Sequence, residues 1–214
     1  VTMTKWLDRT PAVAFAWYGG QEAGHAIADI LFGAANPSGK TPVTFPKRFE
    51  DSPAYGNYPG ENLHVTYAEG IYVGYRGFEK RGVAPLFPFG HGLSYTTFDY
   101  SDLAVTPAVK PGQPVAVSVT VRNTGARAGA EIVQLYVRDV ASSLDRPLKE
   151  LKGFRRVALA PGESKRVALT LDQAALSFFD PKRDDWLAEP GTFEVQVGAS
   201  SADIRLKAAF ELQP

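Results

Sequence analysis

"PAVAFAWYGGQEAGHAIADILFG", residues 11–33, joins a continuous apolar run, a double-glycine turn and a stretch of helical spacing. The apolar run predicts a strand buried on both faces of a parallel sheet. From Gln21 to Phe32 the apolar residues Ala23, Ile27, Ile30 and Leu31 recur at helical spacing, and Gly33 sits where a left-handed C-cap ends a helix. The turn between them does not suit a phosphate. Gly19 and Gly20 are adjacent rather than set in a G-x-G-x-x-G pattern, and Glu22 would repel an anion from the first helical turn. The glycines permit a tight turn, and Glu22 complements the positive end of the helix.

Outward from this unit, "NPSGK" (36–40) reads as a turn and "TPVTFP" (41–46) as a short strand. Residues 46–96 are rich in Pro, Gly and Tyr and show no sustained period. So long an irregular stretch is expected only where it is functional or lies against other protein. Parallel strands need neighbours and helices on both faces, and residues 1–97 supply too few of either. This half is therefore predicted to be the end of a larger α/β domain. Val1 stands where an initiator Met would, without a signal segment, so the start of the gene product is expected to lie outside this sequence.

Near Phe98 the pattern changes. "PVAVSVTVRN", "AEIVQLYVRD", "ELKGFRRVAL", "SKRVALTL", "TFEVQVGAS" and "DIRLKAAFEL" are strand-like runs separated by "PGQ", "NTGARAG", "APGE" and "EPG". Val115, Val117, Val119 and Val121 alternate with Ala116, Ser118 and Thr120, as do Val167, Leu169 and Leu171 with their neighbours. About seven short strands in such a span predict an immunoglobulin-like sandwich, of the fibronectin type III variety because the chain has no Cys. The fold class is thus an α/β fragment, residues 1–97, followed by an all-β sandwich, residues 98–214.

With 214 residues, 44% hydrophobic and 21% charged, a packed core is expected. Lys plus Arg equals Asp plus Glu at 23 each, so no net positive field attracts nucleic acid or an anionic membrane, and neither is expected as a partner. The longest apolar run is far shorter than the roughly 20 residues that span a bilayer.

The order of motifs resembles the C-terminal part of family-3 glycoside hydrolases, the β-glucosidase group. The resemblance is carried by "WYGGQEAGHAIADILFGAANPSGKTPVTFP", "YAEGIYVGYRGF", "PLFPFGHGLSYTTF", "VQLYVRD" and "PLKELKGFRRVALAPGESKRVALTL", and it covers essentially the whole chain. It implies a retaining enzyme acting on β-linked glucosides, with a barrel-like N-terminal domain, an α/β sandwich domain and a fibronectin type III-like domain. It also implies no cofactor. The family's nucleophilic Asp lies in the barrel and its acid/base Glu usually precedes the "WYGGQEAG" region; neither motif is matched here. No catalytic residue is therefore assigned to this chain. The expected partners are the N-terminal barrel-bearing part of the same enzyme and a β-glucoside or oligosaccharide substrate, with a homodimer left open; a periplasmic or secreted location is favoured. A relative acting on β-xylosides or α-arabinosides and a noncatalytic sugar-binding or scaffolding module remain as alternatives.

Substrate-cleft candidates are Tyr67, Glu69 and His91. Tyr67 and Glu69 belong to "ENLHVTYAEGIYVGYRGFEK", whose rings and carboxylates suit sugar faces and hydroxyls. The alternative is a packed strand or turn with Arg76 paired to an acid. His91, between Gly90 and Gly92, is expected to be exposed or interfacial, or to bond a neighbouring backbone. Glu22, His25 and Asp29 share one helix face, but a His25–Asp29 pair accounts for that spacing without a metal, and no metal site is assigned. Arg146, Lys149, Lys152, Arg155 and Arg156 read as solvated strand edges. Trp186 reads as a buried anchor before the last hairpin, or else a sugar platform.

Overall fold

The computed structural model describes residues 2–214. No helix among them is long and apolar enough to cross a membrane. The second half is a β-sandwich. In chain order it holds β1 (Phe98–Val105), β2 (Ala108–Val109), β3 (Val115–Asn123), β4 (Gly129–Asp139), β5 (Glu150–Leu159) and β6 (Ser164–Leu171). A helical turn (Gln173–Leu176), capped by Asp172, leads to β7 (Phe178–Asp180), β8 (Asp185–Leu187), β9 (Gly191–Gly198) and β10 (Ile204–Leu212). One sheet has the order β1-β3-β6 and the other β2-β10-β9-β4-β5, while β7 and β8 form a separate hairpin.

Alternation builds the core. Every second residue of β3 is buried, and Val115, Val117, Val119 and Val121 meet Val133, Leu135, Val195, Val197 and Phe210 from the opposing sheet. Each such side chain contributes about 1.5–3 kcal/mol on burial, which fixes the register because a one-residue slip would turn all four valines outward.

β4 departs from this alternation. Gln134 and Tyr136, on the face away from the core, are also buried. The first half of the chain covers them. Gln134 donates from Nε2 to Gly90 O at 3.1 Å and Ala199 O at 2.7 Å, and Tyr136 donates its hydroxyl to Gln134 Oε1 at 2.6 Å. Gly90 has φ +79°, and a methyl group there would overlap the Gln134 side chain. Further along the same seam, Asn36 donates to Ala128 O at 3.0 Å, and Lys40 pairs with Glu131 at 3.0 Å with both side chains largely buried.

In the first half, α1 (Ala23–Leu31) forms as its spacing predicts, and Gly33 takes the left-handed conformation at φ +77°. No residue of α1 is buried, and Ile27, Leu31 and Phe32 are exposed. The run Pro11–Tyr18 is not a strand. A strand exists through its ladder, and this run has no hydrogen-bonded neighbour among the described residues; Phe15 instead stacks on Phe45 at 4.8 Å. "TPVTFP" is likewise reduced to one bridge, Phe45 to Phe87. The predicted strand or turn in "IYVGYRGF" is in fact a short helix, α2 (Tyr75–Lys80), entered through Gly74 at φ +54°.

Candidate functional site

The loop from Ser52 to Gly74 is a series of tight turns. Backbone bonds run from Asn57 to Ala54 at 3.0 Å, between Glu61 and His64 at 3.0 and 2.8 Å, from Gly70 to Tyr67 at 3.0 Å and from Tyr72 to Glu69 at 2.9 Å. Tyr67 and Glu69 therefore lie on consecutive turns that feed directly into α2. Tyr67 is 78% exposed, and Glu69 accepts a hydrogen bond from Asn57 Nδ2 at 2.9 Å. An open phenol ring and, two residues on, a carboxylate held by an amide offer a sugar one stacking face and one hydroxyl acceptor. Leu63, at the loop tip, is fully exposed and has φ +65°.

A cleft of about 340 Å³ opens beside this loop, between Val43, Pro53, Val73, Tyr75, Arg76 and Phe89. Tyr67 and Glu69 do not line it, and neither does His91. Its ring is half-buried and stacked on Phe87 at 5.4 Å, and its carbonyl accepts from Thr41 N at 2.8 Å. Burial, and then the nearby Lys40 charge, hold its imidazole below the usual histidine range. Among the described residues no hydrogen bond joins its ring to Tyr67 or Glu69. Of the environments expected for His91, full exposure is not met, since Phe87 covers one ring face.

α2 is fastened to the sandwich by charged and aromatic contacts. Lys149 Nζ lies 2.5 Å from Glu79 Oε1, Arg76 Nη1 lies 3.4 Å from Glu150 Oε1, and Lys80 pairs with Asp145. The Tyr75 hydroxyl accepts from Leu151 N at 2.8 Å, and its ring stacks on Phe89 and meets Tyr136 edge-on. Arg146 bridges Asp139 and Glu150, each at 3.0 Å, and lies over the Phe178 ring. Burial raises the Glu79 carboxyl above the ordinary glutamate range despite Lys149, and its Oε2 is buried without a partner. At Glu150 burial also pushes upward, but Lys152 and Arg146 outweigh it and hold the group below that range.

These contacts correct the reading of the basic cluster. Arg146, Lys149 and Lys152 are largely buried counter-charges of an inter-element network; Arg155 and Arg156 alone lie on an exposed strand edge. Lys149 and Glu79 are 70 positions apart, so no local spacing could reveal that pair, whereas Arg146–Glu150 and Lys152–Glu150 are local. Arg76 does meet an acid, as one reading of its segment held. His25 pairs with Glu22 at 2.6 Å, an exposed i, i+3 contact, and not with Asp29. Trp186 is no buried anchor. It is 67% exposed, because β7 and β8 turn Phe178 and Leu187 inward and leave Phe179 and Trp186 outward as an edge-to-face pair at 6.0 Å.

Two domain families match the chain: the glycosyl hydrolase family 3 C-terminal domain over residues 1–75 and the fibronectin type III-like domain over residues 131–201. The thermostable beta-glucosidase B of Acetivibrio thermocellus is 52% identical over 94% of the chain, and the probable beta-glucosidase I of Aspergillus oryzae 50% identical over 100% of it. The chain spans about a quarter of their length, 27% and 26%. The solved beta-glucosidase 3B of Thermotoga neapolitana, in complex with alpha-D-glucose, superposes with a TM-score of 0.93 at 42% identity, covering 100% of this chain and 30% of that one. The GH3 beta-glucosidase of Bifidobacterium adolescentis gives 0.94 at 40% identity, covering 99% and 31%. Both domain matches in their order, the β-sandwich and the end-to-end likeness to these proteins show that the chain carries the family-3 glycosyl hydrolase C-terminal domain and the fibronectin type III-like domain, and that it corresponds to the C-terminal part of these relatives.

Proposed function

We propose that this chain is the C-terminal portion of a retaining β-glucosidase-like hydrolase that releases β-linked glucose from short oligosaccharides or aryl glucosides. Residues 1–97 complete its α/β domain and residues 98–214 form the bracing sandwich. The observation that carries this reading is the bare apolar face of the first half. Phe15, Trp17, Leu31 and Phe32 are exposed on a strand-like run and a helix that lack neighbours, and such a face is at home against more of the same α/β layer.

The retaining reaction needs two carboxyl groups about 5.5 Å apart, one as nucleophile and one as acid then base. In this reading both lie in the remaining three-quarters of the enzyme. Tyr67 and Glu69, on the loop beside the cleft of about 340 Å³ and outside its lining, face the substrate cleft of the whole enzyme in this reading, stacking on sugar and accepting its hydroxyl hydrogens. His91, packed on Phe87, serves by fixing the loop around it.

The test is intact mass under native and then denaturing conditions, with hydrolysis of a chromogenic aryl β-glucoside on the same sample. A noncovalent complex that turns over the glucoside, together with an inactive isolated chain, is expected. A stable, monodisperse 23.2 kDa species that binds sugar without turnover would sink the reading. The Phe179–Trp186 pair favours that second, noncatalytic reading, since two exposed rings at 73° form a platform and a wall for a sugar chain.

A further inference from the structure

α2 touches two things at once. Toward the cleft loop it is in tight contact: a side chain at Gly77 would overlap the Tyr72 carbonyl and the Pro53 ring, and Arg81, just past its end, donates to the Asp51 carbonyl. Toward the sandwich it presents Tyr75, Arg76 and Glu79 to Leu151, Glu150 and Lys149. The loop has no other element of regular structure between Ser52 and Gly74. Its place is therefore inherited from α2, and the place of α2 is set by β4 and β5.

The Glu79–Lys149 pair is the part of this contact least explained by stability. Both side chains are mostly buried, at 19% and 12% exposure, and one carboxylate oxygen has no partner. Burying such a pair gives little or no net stabilisation against an apolar pair of the same shape, whereas its short, directional contact specifies one arrangement.

We propose that Glu79 and Lys149 are positioning residues for the substrate cleft: their buried pair fixes α2 on the sandwich and so sets where Tyr67 and Glu69 stand. This rests on the reading of Tyr67 and Glu69 as cleft residues. The fibronectin type III-like module then has a role in substrate affinity although it need not touch the sugar. The consequence is a loss of fit rather than of chemistry.

The test uses the full-length enzyme and an aryl β-glucoside. Glu79→Gln keeps the shape and removes the charge; Lys149→Met removes the other partner; Lys149→Arg retains it. KM is expected to rise on the order of tenfold in the first two with kcat changed less than about twofold, and to recover in Lys149→Arg. Asn123→Ala, which weakens the sandwich away from α2, serves as the stability control and is expected to leave KM unchanged. Tyr67→Ala tests the underlying reading separately. If it raises KM while Glu79→Gln and Lys149→Met lower only the melting temperature, the coupling is wrong and the cleft reading stands. If Tyr67→Ala leaves KM at the parent value, the cleft reading falls and takes the proposal with it.

Discussion

Asn123 shows what one side chain can hold. It is fully buried at the end of β3, donates to Arg127 O at 2.7 Å and Leu159 O at 3.2 Å, and accepts from Thr96 Oγ1 at 2.6 Å and Gly125 N at 3.1 Å. Asn123→Ala orphans several of these groups and is expected to cost about 3 kcal/mol, read as a lower urea midpoint. In the sequence this residue closed the alternating run "PVAVSVTVRN" and opened the turn "NTGARAG", with nothing to mark its burial. The neighbouring valines were fully legible, since strict alternation has one stable reading, while the partners of a buried amide come from chain positions that no local pattern names. Trp186 was misread for a related reason. An aromatic beside a turn is anchored or exposed according to hairpin register, which is settled by its partner strand. Trp186→Ala is accordingly expected to cost only about 0.5 kcal/mol in urea unfolding, where a buried anchor would cost several times more.

At the scale of elements, β5 and β6 were read to the residue, with the turn "APGE" ending one and opening the other, and α1 was read from its spacing and glycine cap. The Pro11–Tyr18 strand had the right composition but not the partners that make a strand. α2 was missed because its six residues are too few to show a helical period, and its anchors lie on β4, β5 and the 140–149 loop. Those anchors give two expectations. Lys149→Met leaves a buried carboxylate unpaired and should lower stability by about 3 kcal/mol, with Glu79→Gln/Lys149→Met recovering most of it in a denaturant titration. Acidification tests the carboxyls. Glu150, held low when folded, contributes stability above the ordinary glutamate range that is lost as pH falls through its depressed value. Glu79, held high, acts with opposite sign: its contribution is complete below that range and lost as pH rises through its raised value. Glu79→Gln removes this compensation, so its melting temperature should fall more steeply than the parent's as pH is lowered toward the carboxylate range.

For the whole molecule the fold class was legible, because turn-bounded alternating runs begin only near Phe98 and everything before them follows another pattern. What was not legible is how closely the two halves are joined. Lys40–Glu131, Gln134 with Gly90, and Tyr75 with Tyr136 make residues 34–46 and 75–97 a second skin over β4. Residues 98–214 alone expose Gln134, Glu131 and Tyr136, so this piece is expected to melt well below residues 34–214 in calorimetry; equal melting temperatures would show that the seam adds nothing. The two-sided burial of β4 also bears on how such enzymes can be rearranged in evolution or by design. The sandwich looks like a bead on a string, yet β4 keeps little outer surface of its own, with Gln134 and Tyr136 covered by the other half. Cutting at Phe98 and transplanting it would bare a wettable wound, whereas a graft that carries the whole seam would travel intact.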